Sequence, residues 1–258
     1  MRKSVITEDR KQQILELLSK NGSVRVSELG RLFSVSEVTV RNYLADLERK
    51  GLLSRTHGGA ISSYKPYCNM NFNQRLETNN LDKMRIAKQI SEMISPDDTI
   101  MINSGTTTLT VFHQLPQNFP LKIITNSIAI ALEAYSNPNF NVTLMGGAVN
   151  TKYQFTYGTD TIEQIKRYHV DKLILSVDGV DIGSGFSTYY SEEASVDKAM
   201  IECADMCIIA ADKTKLYRNA FVKIADIGEA DFIVSTGSFG KEDKALLKDI
   251  GVELIIAK

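Results

Sequence analysis

The chain has 258 residues, of which 43% are hydrophobic and 24% charged, and its formal net charge is −1. That balance excludes a disordered or fibrous chain, and the length suits one large domain or two unequal ones. No apolar run approaches the roughly 20 residues of a membrane helix. The opening Met1-Arg2-Lys3 leads into a polar stretch unlike a secretory signal, so a cytoplasmic protein with no membrane partner is expected.

The charge is unevenly spread. Residues 1–62 hold 11 Lys/Arg against 7 Asp/Glu, which leaves 19 basic and 24 acidic residues for the rest. A basic head on an acidic body suits a small module that meets a polyanion. Three cysteines, Cys68, Cys203 and Cys207, are an odd number without framework spacing, and no histidine lies near enough to complete a zinc site. They are expected to pack, and neither a metal nor a cofactor is expected.

In chain order, three short helical patterns come first. Ile14, Leu15, Leu17 and Leu18 give residues 8–20 one apolar side, and Asn21-Gly22 stops the pattern. The second helix is read with Ser27 as its cap and with Leu29, Leu32 and Phe33 packing. The third runs from Ser36 to residue 50, with Val40, Leu44 and Leu47 at i, i+4 and i+7. Two short arms around Gly58-Gly59 then read as a β-hairpin. Three helices and a hairpin make a winged helix-turn-helix, assigned to residues 1–62. Residues 63–82 carry Pro66 and several asparagines and are read as a linker, with a helical trace near 72–76.

From Lys83 to the end, β-rich runs at 99–103, 121–125, 142–145, 173–177, 207–211, 232–235 and 252–256 alternate with helical stretches at 85–94, 128–135, 194–203 and 241–248. Such alternation predicts an α/β domain with a largely parallel sheet and helices on both faces.

The third helix keeps Ser36, Glu37, Thr39, Arg41, Asn42 and Tyr43 apart from its apolar stripe. Arginine pairs bidentately with guanine and asparagine with adenine, so Arg41 and Asn42 are the expected base readers. Arg55 and His57 flank the hairpin turn, where they would meet phosphates or the minor groove. Double-stranded DNA is the expected partner. A solvated polar face is the plainer reading of any one of these residues, but not of the whole assembly.

In the body, Ser104-Gly105-Thr106-Thr107-Thr108 lies between a β-run and a helix. Gly105 allows close backbone approach, and the helix start offers free N–H groups, which together suit a phosphate. Lys83 and Lys215 are cations at element ends that could converge on the same anion. Gly146-Gly147 marks a tight turn at a strand end, where a purely conformational role is equally open.

These residues carry a family resemblance. The run Ser36-Glu37-Val38-Thr39-Val40-Arg41, followed by Leu44-Ala45-Asp46-Leu47-Glu48, Gly51-Leu52-Leu53 and Arg55-Thr56-His57-Gly58-Gly59-Ala60, resembles the head of the DeoR family of bacterial repressors. Family members commonly have Arg then Asp after the position of Arg41, where this chain has Asn42 and Tyr43. The body is similar too, at 103–108, Thr125-Asn126-Ser127, Gly146-Gly147, Val170-Asp171-Lys172 and 212–215. The resemblance implies an isomerase/CoA-transferase-like fold, close to that of ribose-5-phosphate isomerases. It also implies a phosphorylated sugar or sugar-alcohol effector, with its phosphate at Lys83, Thr106, Thr107 and Lys215, and a repressor of a carbohydrate-catabolism operon acting as a dimer or tetramer.

The rival reading is an isomerase-like enzyme with a DNA-binding appendage. Asp178 and Asp181 stand in a segment resembling the one that supplies the isomerases' acidic catalytic residues. Those enzymes continue with an acid where this chain has Ile182. They then carry a Lys and a Gly run where this chain has Thr188-Tyr189-Tyr190-Ser191-Glu192-Glu193-Ala194. Binding without catalysis is therefore expected, with Asp178 and Asp181 accepting from sugar hydroxyls or capping turns.

Overall fold

A computed structural model of the chain describes residues 9–11, 13–15, 17–18, 23–49, 53–61 and 70–258. The described chain falls into two compact units, a head of Met1–Met70 and a body of Asn71–Lys258.

In the head, β1 (Ser23–Arg25) leads into α1 (Val26–Phe33), then α2 (Glu37–Arg49), then the wing strands β2 (Ser54–Thr56) and β3 (Gly59–Ile61). The small antiparallel sheet has the order β1-β3-β2. Ile14, Leu18, Val26, Leu29, Val40, Leu44 and Leu47 fill one core. Ser34, at φ 52°, closes α1 in the left-handed conformation, and the amide of Val35 donates to the Gly30 carbonyl at 3.0 Å. That turn redirects the chain into α2, where the Ser36 hydroxyl accepts the Thr39 amide at 3.2 Å as an N-cap.

Three details of the head differ from the sequence reading. Leu32 does not pack but is exposed. Ser27 is not a cap, because α1 begins at Val26 with Arg25 before it and no side-chain cap bond. Tyr43 does not face outward. It is buried with the apolar core, and its hydroxyl lies 3.5 Å from the Arg10 guanidinium, which also reaches the Phe33 carbonyl at 3.3 Å. Tyr43 stands three residues after Val40, so it shares that residue's inward face.

The body begins at Asn71, earlier than residue 83. The helix α3 (Phe72–Glu77) and the start of α4 (Asn80–Ser91) fall in the stretch assigned to the linker, and both helices belong to the body's packing. Asn71 and Gln74 form a reciprocal capping box, and Phe72 enters the core. Asn71 and Asn79, two of the asparagines that suggested a loop, are the residues that start these helices.

Next come β4 (Thr99–Ile102), α5 (Thr106–Gln114), β5 (Leu121–Thr125), α6 (Ile128–Glu133) and β6 (Phe140–Leu144). The hairpin β7 (Ala148–Asn150) and β8 (Phe155–Tyr157) leads to α7 (Thr159–Ile165) and β9 (Val170–Ser176). A second hairpin, β10 (Gly179–Asp181) and β11 (Gly185–Thr188), precedes α8 (Ser191–Ile201) and β12 (Ala204–Ala210). The chain closes with β13 (Val222–Ala225), β14 (Phe232–Ser235), α9 (Lys241–Asp249) and β15 (Glu253–Ile256).

Seven strands form one parallel sheet in the order β15-β14-β12-β9-β4-β5-β6. Both faces are buried, because alternate residues feed two cores. Ile100, Ile102, Ile174 and Ile208 join one, while Met101, Leu173, Leu175 and Ile209 join the other. Cys203 and Cys207 are free and buried. From β4 the chain adds β5 and β6 on one side, and β9, β12, β14 and β15 on the other. The topological switch point therefore lies between β4 and β9, and the crevice outside their carboxyl ends is where such a sheet receives ligands.

Candidate functional site

The head presents one polar groove of about 400 Å³, lined by Arg41 and Glu48 of α2 and by Arg55 and His57 of the wing. Ser36, Glu37, Arg41, Asn42, Arg55 and His57 are exposed, and Thr39 is half-buried. Glu48 sets the wing: it accepts the Arg55 amide at 2.9 Å and pairs with the Arg55 guanidinium at 2.6 Å. These two contacts, the backbone one first, hold the Glu48 carboxyl below its usual range. Arg41 sits 3.7 Å from Glu37, a loose and half-exposed pairing that leaves it able to exchange partners. All the proposed DNA contacts except Tyr43 thus lie on the accessible surface of the head.

In the body, the loops after β4, β5, β9 and β12 meet at the switch point. Asn103 anchors the first loop. Its carboxamide donates to the Ser176 carbonyl at 3.0 Å and to Asp197 Oδ1 at 3.1 Å, and its own oxygen accepts the Ser176 amide at 2.9 Å. Asn126 holds the same loop from β5 by accepting the Ser104 amide at 3.0 Å. Gly105 leaves room for the Ser176 hydroxyl, since a Cβ there would lie 2.1 Å from Ser176 Oγ and displace it. Thr106 and Thr107 open α5 and are buried. Thr108 is different: its hydroxyl donates to the Asn103 and Gly105 carbonyls, at 2.9 and 3.1 Å. One hydroxyl carries one proton, so Thr108 braces the loop rather than reaching for a ligand.

The loops after β9 and β12 bring the charges. Lys215 Nζ lies 3.3 Å from Asp178 Oδ1, and both side chains are buried. Arg75, from α3, approaches the same carboxylate oxygen to 3.7 Å. Its guanidinium lies 4.5 Å from the centre of the Tyr153 ring, and the Tyr153 carbonyl meets the Ser104 hydroxyl at 3.5 Å. Lys83, only 1% exposed, donates to the carbonyls of Arg75 and Leu76. Burial lowers its pKa to about 8; the charge of Asp212 opposes this, and those of Lys215 and Arg75 add to it. Lys83, Lys215 and Arg75 are therefore close enough to feel one another in one niche.

Three carboxyls stand beside them, of which Asp178 and Asp197 are buried and Glu193 is half-buried. Burial pushes Asp178 up, but Lys215 and then Arg75 outweigh it and hold the group ionised below the usual range. Glu193, which accepts from the Thr188 hydroxyl, is raised to about 7 by burial and then by the charge of Asp178. Asp197 stands well above its ordinary value through burial and then the charge of Glu193, and its Oδ2 is buried without a hydrogen-bond partner. Strongly perturbed groups gathered in one crevice mark a candidate binding site.

The remaining predicted residues serve the frame. Asp181 accepts the Ser184 amide at 3.0 Å and caps the β10–β11 turn. Gly147, at φ +150°, has no room for a Cβ, which would lie 2.1 Å from Thr161 Oγ1. Gly146 accepts from Thr161 at 2.7 Å. The sequence reading passed over Arg75, Glu193 and Asp197 as site residues. Arg75 fell in the presumed linker. Glu193 and Asp197 carried a legible signal: acids at i and i+4 beside the buried Ala194 and Val196.

The family described as "DeoR C terminal sensor domain" matches residues 78–236, and that described as "DeoR-like helix-turn-helix domain" matches residues 10–65. The chain is 31% identical over 252 residues to a "Putative aga operon transcriptional repressor" of Escherichia coli O157:H7, spanning 97% of this chain and 94% of that one. It is 30% identical over 224 residues to the "Glycerol-3-phosphate regulon repressor" of Escherichia coli K12, covering 87% of this chain and 88% of that one. Among solved structures, ribose 5-phosphate isomerase A of Methanocaldococcus jannaschii is similar over 54% of this chain and 55% of its own, at 16% identity and a TM-score of 0.40. With a helix-turn-helix head and a sensor body both matched, this chain belongs to the DeoR family of DNA-binding transcriptional regulators.

Proposed function

We propose that this regulator represses a carbohydrate-catabolism operon and senses a phosphorylated sugar or sugar alcohol in its body. The convergence of Lys83, Lys215 and Arg75 on the switch point carries the reading, because three cations, Lys83 and Lys215 buried and Arg75 half-buried, suit a dianion. The phosphoryl group is placed among Lys83, Lys215, Arg75 and the α5 start with Thr106 and Thr107. Asp178 faces the sugar's hydroxyls as an acceptor, with Glu193 and Asp197 beside it. The names of the aga operon and glycerol-3-phosphate regulon repressors support the same ligand class.

The head reads DNA through Arg41 and Asn42 and grips the backbone through Arg55 and His57. One small head makes few phosphate contacts, so useful affinity calls for two or more heads on one operator, joined as a dimer or tetramer through the bodies. The protein works in the cytoplasm and binds its ligand without turning it over. Ile182 replaces an acid of the isomerase-like segment, and Asp181 is taken up by a turn.

The test is a thermal-shift screen against phosphorylated sugars, repeated with Lys215→Ala. One phosphorylated sugar should stabilise the protein, its dephosphorylated form should not, and the variant should lose the effect. Equal stabilisation of both proteins would refute the site. A gel-shift assay on the chain's own promoter region tests the DNA-binding half.

A further inference from the structure

Helix α3 is the first element of the body, and only residues 62–71 lie between it and the wing strand β3. Six residues do not sustain a helix unaided, so α3 depends on what it docks against. Phe72 is buried in the core, and the Asn71–Gln74 capping box closes the N-terminus. Arg75 reaches Asp178 at 3.7 Å and lies over Tyr153 at 4.5 Å. The ammonium of Lys83 donates to the Arg75 carbonyl and, at 3.4 Å, to that of Leu76. These carbonyls belong to the last turn of α3, which has no intrahelical donors of its own.

Two of these attachments are made by side chains of the anion niche. An ammonium has three protons. Two hold the α3 carbonyls, and the third is left for a phosphoryl oxygen. Such an oxygen also keeps the ammonium charged, which strengthens its bonds to the carbonyls. In the other direction, an undocked α3 takes Arg75 out of the niche and strips Lys83 of its partners.

We propose that phosphoryl binding and α3 docking are one coupled event: an anion held by Lys83, Arg75 and Lys215 clamps α3 onto the body and so anchors the chain where it leaves for the head. This rests on the anion-binding reading above and gives it a route to the DNA-binding unit. Coupling is reciprocal, so whatever loosens α3 weakens the anion.

The test uses the full-length protein, with inorganic phosphate as probe and chloride at equal ionic strength as control. Hydrogen–deuterium exchange at residues 72–77 should slow about fivefold or more with phosphate, the lower end of usual coupling factors, and Lys215→Ala should abolish the change. Asn71→Ala removes the N-cap bond to the Gln74 amide without touching the niche, and it should weaken phosphate binding by about fivefold, the effect of losing a typical cap.

Suppose phosphate stabilises the wild type and not Lys215→Ala, while exchange at 72–77 is unchanged and Asn71→Ala binds normally. The clamp is then overturned and the anion site survives. Absence of any phosphate effect on stability removes the anion site and the clamp together. Protection of 72–77 that persists in Lys215→Ala also overturns the clamp.

Discussion

Asn103 and Asp197 meet at 3.1 Å, carboxamide nitrogen to carboxyl oxygen, and tie the loop after β4 to the middle of α8. The bond uses Asp197 Oδ1 and leaves the buried Oδ2 to carry a proton, the state that burial and the neighbouring Glu193 charge favour.

An amide in place of that acid should mimic its protonated form. A carboxyl raised in the folded state binds its proton more tightly there than in the unfolded chain. Its cost is therefore absent below the unfolded value of about 3.9 and grows as pH rises toward the folded value. Asp197→Asn should melt close to the wild type at pH 4 and clearly above it at pH 8, by roughly 2–4 °C for each kcal/mol relieved. Melting curves that stay parallel across this range would mean that Asp197 is ionised in the fold.

Lys83, at about 8, supplies a second pH signature. Asp212, Lys215 and Arg75 are the charged groups acting on it. A phosphate monoester stays dianionic above its second pKa of about 6, so any loss of affinity above pH 8 comes from the protein. Affinity should fall up to about tenfold per pH unit beyond 8, as the lysine gives up the charge the ligand needs. Lys83→Arg, charged throughout, should flatten the decline in isothermal titrations. An unchanged slope would locate the titrating group elsewhere.

On the head, Arg41→Ala and Tyr43→Ala should fail for different reasons. Losing Arg41 should cost about 1–3 kcal/mol of operator affinity, read by fluorescence anisotropy, with the melting of the head unchanged. Losing Tyr43 should destabilise the head by about 3 kcal/mol, as truncation of a buried aromatic does. Its DNA affinity would drop only as far as the fold is lost, and low temperature should restore it.

Gly105→Ala should destabilise the body by about 1–3 kcal/mol, the usual range for overpacking, because the added carbon meets Ser176 Oγ at 2.1 Å. Ser176→Ala in the same chain should recover part of the loss, measured by urea denaturation. No recovery would mean that the loop strains against its own backbone instead.

The parallel sheet was readable because its strands are short apolar runs separated by helices, and β5 and β14 have the expected bounds. The hairpins β7–β8 and β10–β11 were not, since strands of three or four residues with mixed polarity give no period to detect. Lys83 and Lys215 could be picked out as cations at element ends. Arg75 could not, because its importance comes from the Asp178 and Tyr153 contacts, which join residues remote in sequence. Tyr43 was misplaced for a related reason: its polar hydroxyl suggested exposure, whereas Arg10 satisfies it from inside.

The crevice between β4 and β9 has one more implication. Its walls come from segments that must find each other late, since the β4–β9 pairing joins residues such as Ile100 and Lys172. A small molecule seated across that seam works as a removable staple, adding protection that rises with its concentration. Nutrient supply would then govern how long the repressor survives proteases as well as where it sits on the chromosome, a link that pulse-chase labelling with and without the sugar can measure.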